Sequence, residues 1–181
     1  MADEAKAKED EKKEKDKPEP KDNLVETQHE VTIKGQKISY TVTTGTIVLK
    51  EETEKDGKAE GHKPKAEIFF IAYTRDGIEN RKKRPITFSF NGGPGSSSVW
   101  LHLGVLGPRR IVTDKEGNLL QPPYELIENE HSILDQTDLV FIDPVSTGYS
   151  RAVEGEKPRD FHAFKRDIEY VGDFIRLYCS R

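Results

Sequence analysis

The chain has 181 residues, with 29 Lys and Arg against 33 Asp and Glu, one third apolar residues and a formal net charge of −4. That balance gives no general electrostatic reason to bind nucleic acid, and every apolar run is too short to cross a bilayer as a helix. One cysteine, Cys179, rules out an intrachain disulfide and a cysteine-based zinc site. The five histidines, His29, His62, His102, His131 and His162, are not paired at metal-ligand spacing, so no His-rich metal centre is expected; the sequence implies no metal or organic cofactor.

The charge is uneven. Asp3 to Asp22 holds seven lysines and nine acids and no apolar side chain larger than alanine, too little to offset the entropy of ordering. Residues 1–23 are therefore read as a disordered charged tail, and residues 24–181 as one domain or part of one. No basic segment followed by an apolar core opens the chain, so no secretory signal is read. The compartment stays open: periplasmic or secreted if a leader has been removed, cytoplasmic otherwise.

Past the tail, Val31, Ile33, Ile38, Tyr40 and Val42 alternate with polar residues around a Gly35-Gln36 turn, which predicts a hairpin with one wet face, extended by Ile47 to Leu49. Glu51 to Lys65 is charged and contains glycine and proline, the composition of a surface loop. Ala66 to Thr74 and Arg84 to Phe90 read as further strands. The basic run Arg81 to Arg84 between them reads as a solvated loop.

The second half changes to alternating elements. Ser97 to Leu106 predicts a short helix ended by Gly107-Pro108. Asp138 to Asp143 is an apolar run between acids, the pattern of a strand buried on both faces. From Pro158 to Ser180, Phe161, Phe164, Ile168, Val171, Ile175 and Tyr178 recur at helical steps, with Asp160 placed to cap the start. Hairpins followed by strand, crossover, strand and helix give a mixed α/β class. The last helix should lead to another parallel strand, and the chain reaches Arg181 first, which suggests the front part of something larger.

The most specific segment is Asn91-Gly92-Gly93-Pro94-Gly95-Ser96-Ser97-Ser98, after a strand and before the short helix. Such a loop lets the backbone approach a ligand closely and turns its N–H groups into an anion-binding concavity. A phosphate loop would need Gly-Lys-Ser/Thr at the helix start, and three serines stand there instead. An oxyanion loop fits better, because α/β-hydrolases place a Gly-rich loop after their third strand. The serines themselves read as helix caps.

FNGGPGSSS at 90–98, Leu106-Gly107-Pro108 and TDLVFIDPVSTGYSR at 137–151 together resemble the serine carboxypeptidases, the family of carboxypeptidase Y and cathepsin A. The resemblance covers roughly Pro85 to Cys179. It implies the N-terminal part of an α/β-hydrolase fold and peptide substrates cut at their C-terminal residues. By position, Gly93 would donate the backbone N–H of the oxyanion hole and Asn91 would bind the substrate's terminal carboxylate. Gly92, Pro94 and Gly95 would shape that loop. Asp143, Pro144, Gly148, Tyr149 and Ser150 match the second motif, which flanks the active site and fixes its geometry.

Departures from the family pattern bear on specificity. Ser96 replaces a disulfide-forming cysteine, Ser89 a tryptophan, and Ser146 a glycine, and a glutamine between Asp143 and Pro144 is missing. Val105 replaces a glutamate that helps bind the carboxylate, which leaves strict carboxypeptidase specificity less secure.

The nucleophile is the larger departure. No Gly-x-Ser-x-Gly occurs in the 181 residues, so the triad serine, acid and histidine are expected past Arg181 and the chain should be inactive alone. His162 reads as a surface or boundary histidine and Cys179 as a packing residue. The strand at 86–90 should then present an unpaired edge that invites self-association. The leading expectation is a serine carboxypeptidase-like hydrolase represented by its oxyanion-bearing part. The alternative is a non-catalytic interaction module on the same scaffold.

Overall fold

The computed structural model describes residues 19–55, 58–92 and 95–181. Most of the expected charged tail, residues 1–18, lies outside them. Strand β1 (Asn23–Ile33) begins inside the expected tail, and the backbone N–H of Val48 donates to Asp22 at 2.8 Å. The ordered sheet therefore starts earlier than composition suggested.

β1 and β2 (Gln36–Lys55) form an antiparallel hairpin that turns on Lys34 and Gly35, both at positive φ (49° and 80°). A two-residue turn of this hand matches the twist of the strands, and it sits one residue before the Gly35-Gln36 position expected from patterning. β2 then pairs antiparallel with β3 (Lys58–Arg75). Their ladder runs out to Lys55 and Lys58, so residues 51–55 and 58–65 are strand and not loop. Register shifts at Leu49/Lys50 and Thr53/Glu54 bend it. Charged composition does not separate a loop from a ribbon, and Glu52, His62 and Lys63 are exposed on the paired strands.

The sheet order is β1-β2-β3-β7-β4, with the two-residue β8 (Arg151–Ala152) also on β3. β7 (Asp138–Ile142) runs antiparallel to β3 and parallel to β4 (Ile86–Ser89), which makes the sheet mixed. The DLVFID run thus forms the interior strand predicted. Val140 and Ile142 point to one face, Leu139 and Phe141 to the other, and all are nearly inaccessible.

One face carries Ile47, Leu49, Ile68, Phe70, Val140 and Ile142 under helix α2 (Phe164–Cys179), which buries Tyr170 and Phe174. Tyr170 Oη donates to Glu51 at 2.9 Å and Arg166 pairs with the same carboxylate at 3.2 Å, so the helix is also tied to the long hairpin. The opposite face packs Val31, Ile33, Ile38, Tyr40, Tyr73 and Phe141 against Leu134 and against helix α1 (Val99–Leu101), which continues as a π-turn over His102–Leu106. A small antiparallel pair, β5 (Arg109–Ile111) and β6 (Leu126–Glu128), closes that side. Glu128 anchors it by accepting from the Thr32 N–H at 3.0 Å.

Of the expected stripe, Phe161, Val171, Ile175 and Tyr178 pack on the core, and two members do not. Phe164 is 84% and Ile168 56% exposed, while Tyr170 and Phe174 hold the seam. Asp160 lies in a preceding 3-10 turn, Pro158–Phe161, and the N-cap is Ala163 with no side-chain cap bond. Arg84 is also not a solvated residue. Its side chain is 7% exposed, donates to Asp138 at 2.6 Å and to the Leu134 carbonyl at 2.6 Å, and staples β4 to the start of β7.

Candidate functional site

β4 ends at Ser89 and delivers Asn91 and Gly92 to the carboxyl end of the two parallel strands. Gly93 and Pro94 lie outside the described residues. Gly95 has φ 97°, in the left-handed region that suits glycine. The loop then reaches Ser98, which stands at the N-cap position of α1 but makes no side-chain cap bond. Its hydroxyl donates to the Ile142 carbonyl, and its backbone N–H donates to Asp143 Oδ1 at 2.8 Å.

Asp143 joins the two motifs. Its Oδ1 holds the end of the Gly-rich loop through Ser98, and its Oδ2 accepts from the Tyr149 N–H at 3.4 Å. Its carbonyl accepts from Ser150 Oγ at 2.6 Å, and that hydroxyl accepts from the Phe69 N–H at 2.8 Å. A buried carboxylate held by backbone N–H groups is fully paired and rigid. Gly148 is required for this fit: at φ 45°, a Cβ on it would lie 1.7 Å from Asp143 Oδ2. Within the 144–147 turn, Thr147 Oγ1 donates to the Pro144 carbonyl at 2.9 Å and the Ser146 N–H to the Ser150 carbonyl at 3.1 Å.

The two loops and the start of α2 enclose a cavity of about 290 Å³, lined by Asn91, Gly92, Gly95, Ser96, the 144–147 turn, Phe161, His162 and Asp167. Asn91 Oδ1 is buried and has no hydrogen-bond partner among the described residues. Among the predicted residues, Asn91, Gly92 and Gly95 line the cavity, and Asp143, Gly148, Tyr149 and Ser150 hold its wall. Tyr149 is 74% exposed, with its ring 5.1 Å from that of Phe69. Val105 stays outside, exposed at the end of the π-turn. Phe161 and Asp167 were not foreseen at the site, since only the docking of α2 brings them there.

Behind the loop, on the opposite face of the sheet, His102 is buried against Phe141, and its Nε2 lies 2.5 Å from Tyr73 Oη. Burial holds its pKa down at about 4 and pushes the Tyr73 hydroxyl up. A neutral imidazole accepting from the phenol fits both shifts.

Two loops tied by one aspartate at the end of parallel strands agree with the family comparison, in which the model described as serine carboxypeptidase matches residues 54–177. The chain belongs to the serine carboxypeptidase family. It is 35% identical over 120 residues to the pheromone-processing carboxypeptidase KEX1 of Saccharomyces cerevisiae, covering 62% of this chain and 15% of the relative. With the protein of the same name from Cryptococcus gattii it shares 31% identity over 136 residues, 74% of this chain and 18% of the relative. The crystal structure of a prohormone-processing carboxypeptidase from Saccharomyces cerevisiae superposes with a TM-score of 0.50 at 28% identity, over 76% of this chain and 27% of that one. The chain thus spans less than one fifth of the curated relatives it matches. Its mixed sheet is of the α/β-hydrolase type.

Proposed function

We propose that the chain supplies the oxyanion-binding and substrate-anchoring part of a serine peptidase acting on peptide C-termini. The observation that supports this best is the Asp143 network, which clamps the Gly-rich loop and the 144–150 turn around one cavity. In this reading the Gly93 N–H donates to the oxyanion of the tetrahedral intermediate, a contact typically worth roughly 3–4 kcal/mol of barrier. The Asn91 amide takes the terminal carboxylate of the peptide, and Gly92, Pro94 and Gly95 shape the loop. With no Gly-x-Ser-x-Gly in the 181 residues, the attacking serine and its partners have to come from outside them, and the chain alone binds peptide without turnover. The test is incubation of the 181-residue chain with an N-blocked dipeptide and with a fluorophosphonate probe. No hydrolysis and no labelling are expected; either one would contradict the reading.

A second reading, a non-catalytic interaction module, draws on the sheet edge. Among the described residues β4 pairs only with β7, and Ile86 and Phe90 are 41% and 45% exposed beside its free edge. Such an edge supports self-association by strand pairing. Sedimentation should then show concentration-dependent oligomers that Ile86→Lys disperses. A wild-type chain that stays monomeric throughout would remove this reading.

A further inference from the structure

Helix α1 and the π-turn after it form one short segment, 98–108, that continues the Gly-rich loop across the sheet face opposite α2. Both of its ends are held by hydrogen bonds. At the start, Ser98 grips the Ile142 carbonyl and Asp143 Oδ1. At the finish, Asn129 Nδ2 donates to the Val105 and Gly107 carbonyls, each at 2.8 Å, and Ser132 Oγ to the Leu106 carbonyl at 2.7 Å. Those carbonyls close a helical turn that cannot satisfy them itself.

The middle rests on one titratable side chain. His102 is 8% exposed, with its ring centroid 4.7 Å from that of Phe141 and its Nε2 2.5 Å from Tyr73 Oη. Its N–H donates to the Ser98 carbonyl at 2.8 Å and its carbonyl accepts from the Gly107 N–H at 2.9 Å, so it links the two ends of the segment. The imidazole and Ser98 thus hold consecutive residues of β7 and its exit, Phe141 to Asp143. Nothing around the ring is arranged to receive a positive charge. Arg109 on β5 and Glu128 on β6 act on Tyr40, and His29 on β1 stacks on that same tyrosine. Asp135 is paired with Lys34, and Asp143 with Ser98. Among the described residues no carboxylate hydrogen-bonds the imidazole. A buried imidazolium without a counter-ion is costly, and leaving the site removes that cost.

We propose that His102 is an acid-sensitive latch: its protonation releases α1 and the π-turn from the sheet and, through Ser98, frees the Gly-rich loop while the α2 face stays folded. The two-state element is the 98–108 segment, docked with a neutral ring and undocked with a charged one. The latch sets the geometry of the loop whatever the loop binds, so it stands apart from the peptidase reading.

Native-state amide hydrogen exchange of the 181-residue chain at pH 7 and pH 5, in urea up to about 1 M, tests this. Between the two pH values, protection corrected for intrinsic exchange should fall roughly twentyfold at Ser98, His102 and Gly107. That factor follows from a ring that titrates at 6.5 when free and about 4 when docked. Exchange at these three amides should be insensitive to urea, the mark of local opening, whereas Phe174 should be better protected and exchange faster as urea rises. His102→Gln should remove the pH dependence at all three. Opening of the three amides only together with Phe174, with one shared urea dependence, would overturn the latch. So would a pH-dependent fall that survives in His102→Gln, or one that spares Ser98. The wild-type ring gives a check that needs no folded variant: its Cε1–H resonance should titrate well below pH 6.5, and a midpoint at 6.5 or above would overturn the proposal.

Discussion

At the scale of single residues, Gly148 and Asp143 form the tightest joint of the site. The carboxylate occupies the space that any side chain at 148 would need, and the backbone there is left-handed. Gly148→Ala must displace a buried acceptor that serves two backbone N–H groups, and is expected to destabilise the chain by about 3 kcal/mol. Urea denaturation measures that loss directly. His102 acts differently, through protonation. Its pKa falls from 6.5 to about 4 on burial, so the folded state favours the neutral ring while the unfolded chain takes up a proton near pH 6.5. The stabilisation is therefore complete above about pH 6.5 and is lost as pH drops towards 4, for a total on the order of 3 kcal/mol. Denaturation midpoints at pH 7.5 and pH 5 should diverge in the wild type. His102→Gln, which offers Tyr73 an acceptor that does not titrate, should flatten that part of the pH dependence; an unchanged slope would count against the role of His102.

At the scale of elements, α2 shows which apolar positions carry energy. Phe174 is wholly buried with its ring 5.3 Å from that of Phe70, whereas Phe164 is almost free. Phe174→Ala should cost about 3–5 kcal/mol, and Phe164→Ser should stay within about 0.5 kcal/mol of wild type. Thermal melting of the two variants separates seam from flank. Periodicity located this helix and, through Val171, Ile175 and Tyr178, the side it turns to the core, but not that Tyr170 and Phe174 form the centre of the seam or that Phe164 and Ile168 lie off it. The interior strand β7 was legible because burial on both faces writes a continuous apolar run. The outer half of the β2–β3 hairpin was not, since charged, glycine-containing sequence is written by an exposed ribbon as readily as by a loop. Arg84 was misplaced for a related reason: a basic run predicts solvation, and nothing local reveals that Asp138, fifty-four positions later, is waiting for one member of it.

At the scale of the whole molecule, the site is an agreement between two loops about forty-five residues apart in sequence. Each was readable as a motif, but their coupling through Asp143 needed the parallel pairing of β4 with β7. The wall contributed by Phe161 and Asp167 carried no local signal, because it arises from the docking of α2 across the sheet. On the proposed reading the chain provides anchoring and charge stabilisation, and the nucleophile comes from elsewhere. The central claim is that the amides of the Gly-rich loop stabilise negative charge on a tetrahedral centre. Its most direct test is an amide NMR titration of the 181-residue chain with a phosphonate analogue of a blocked dipeptide, compared with the uncharged dipeptide amide. A downfield shift of the Gly93 N–H, larger for the phosphonate and accompanied by changes at Gly92 and Ser146, is the predicted result. Equal shifts for both compounds, or a response confined to residues away from the cavity, would contradict it.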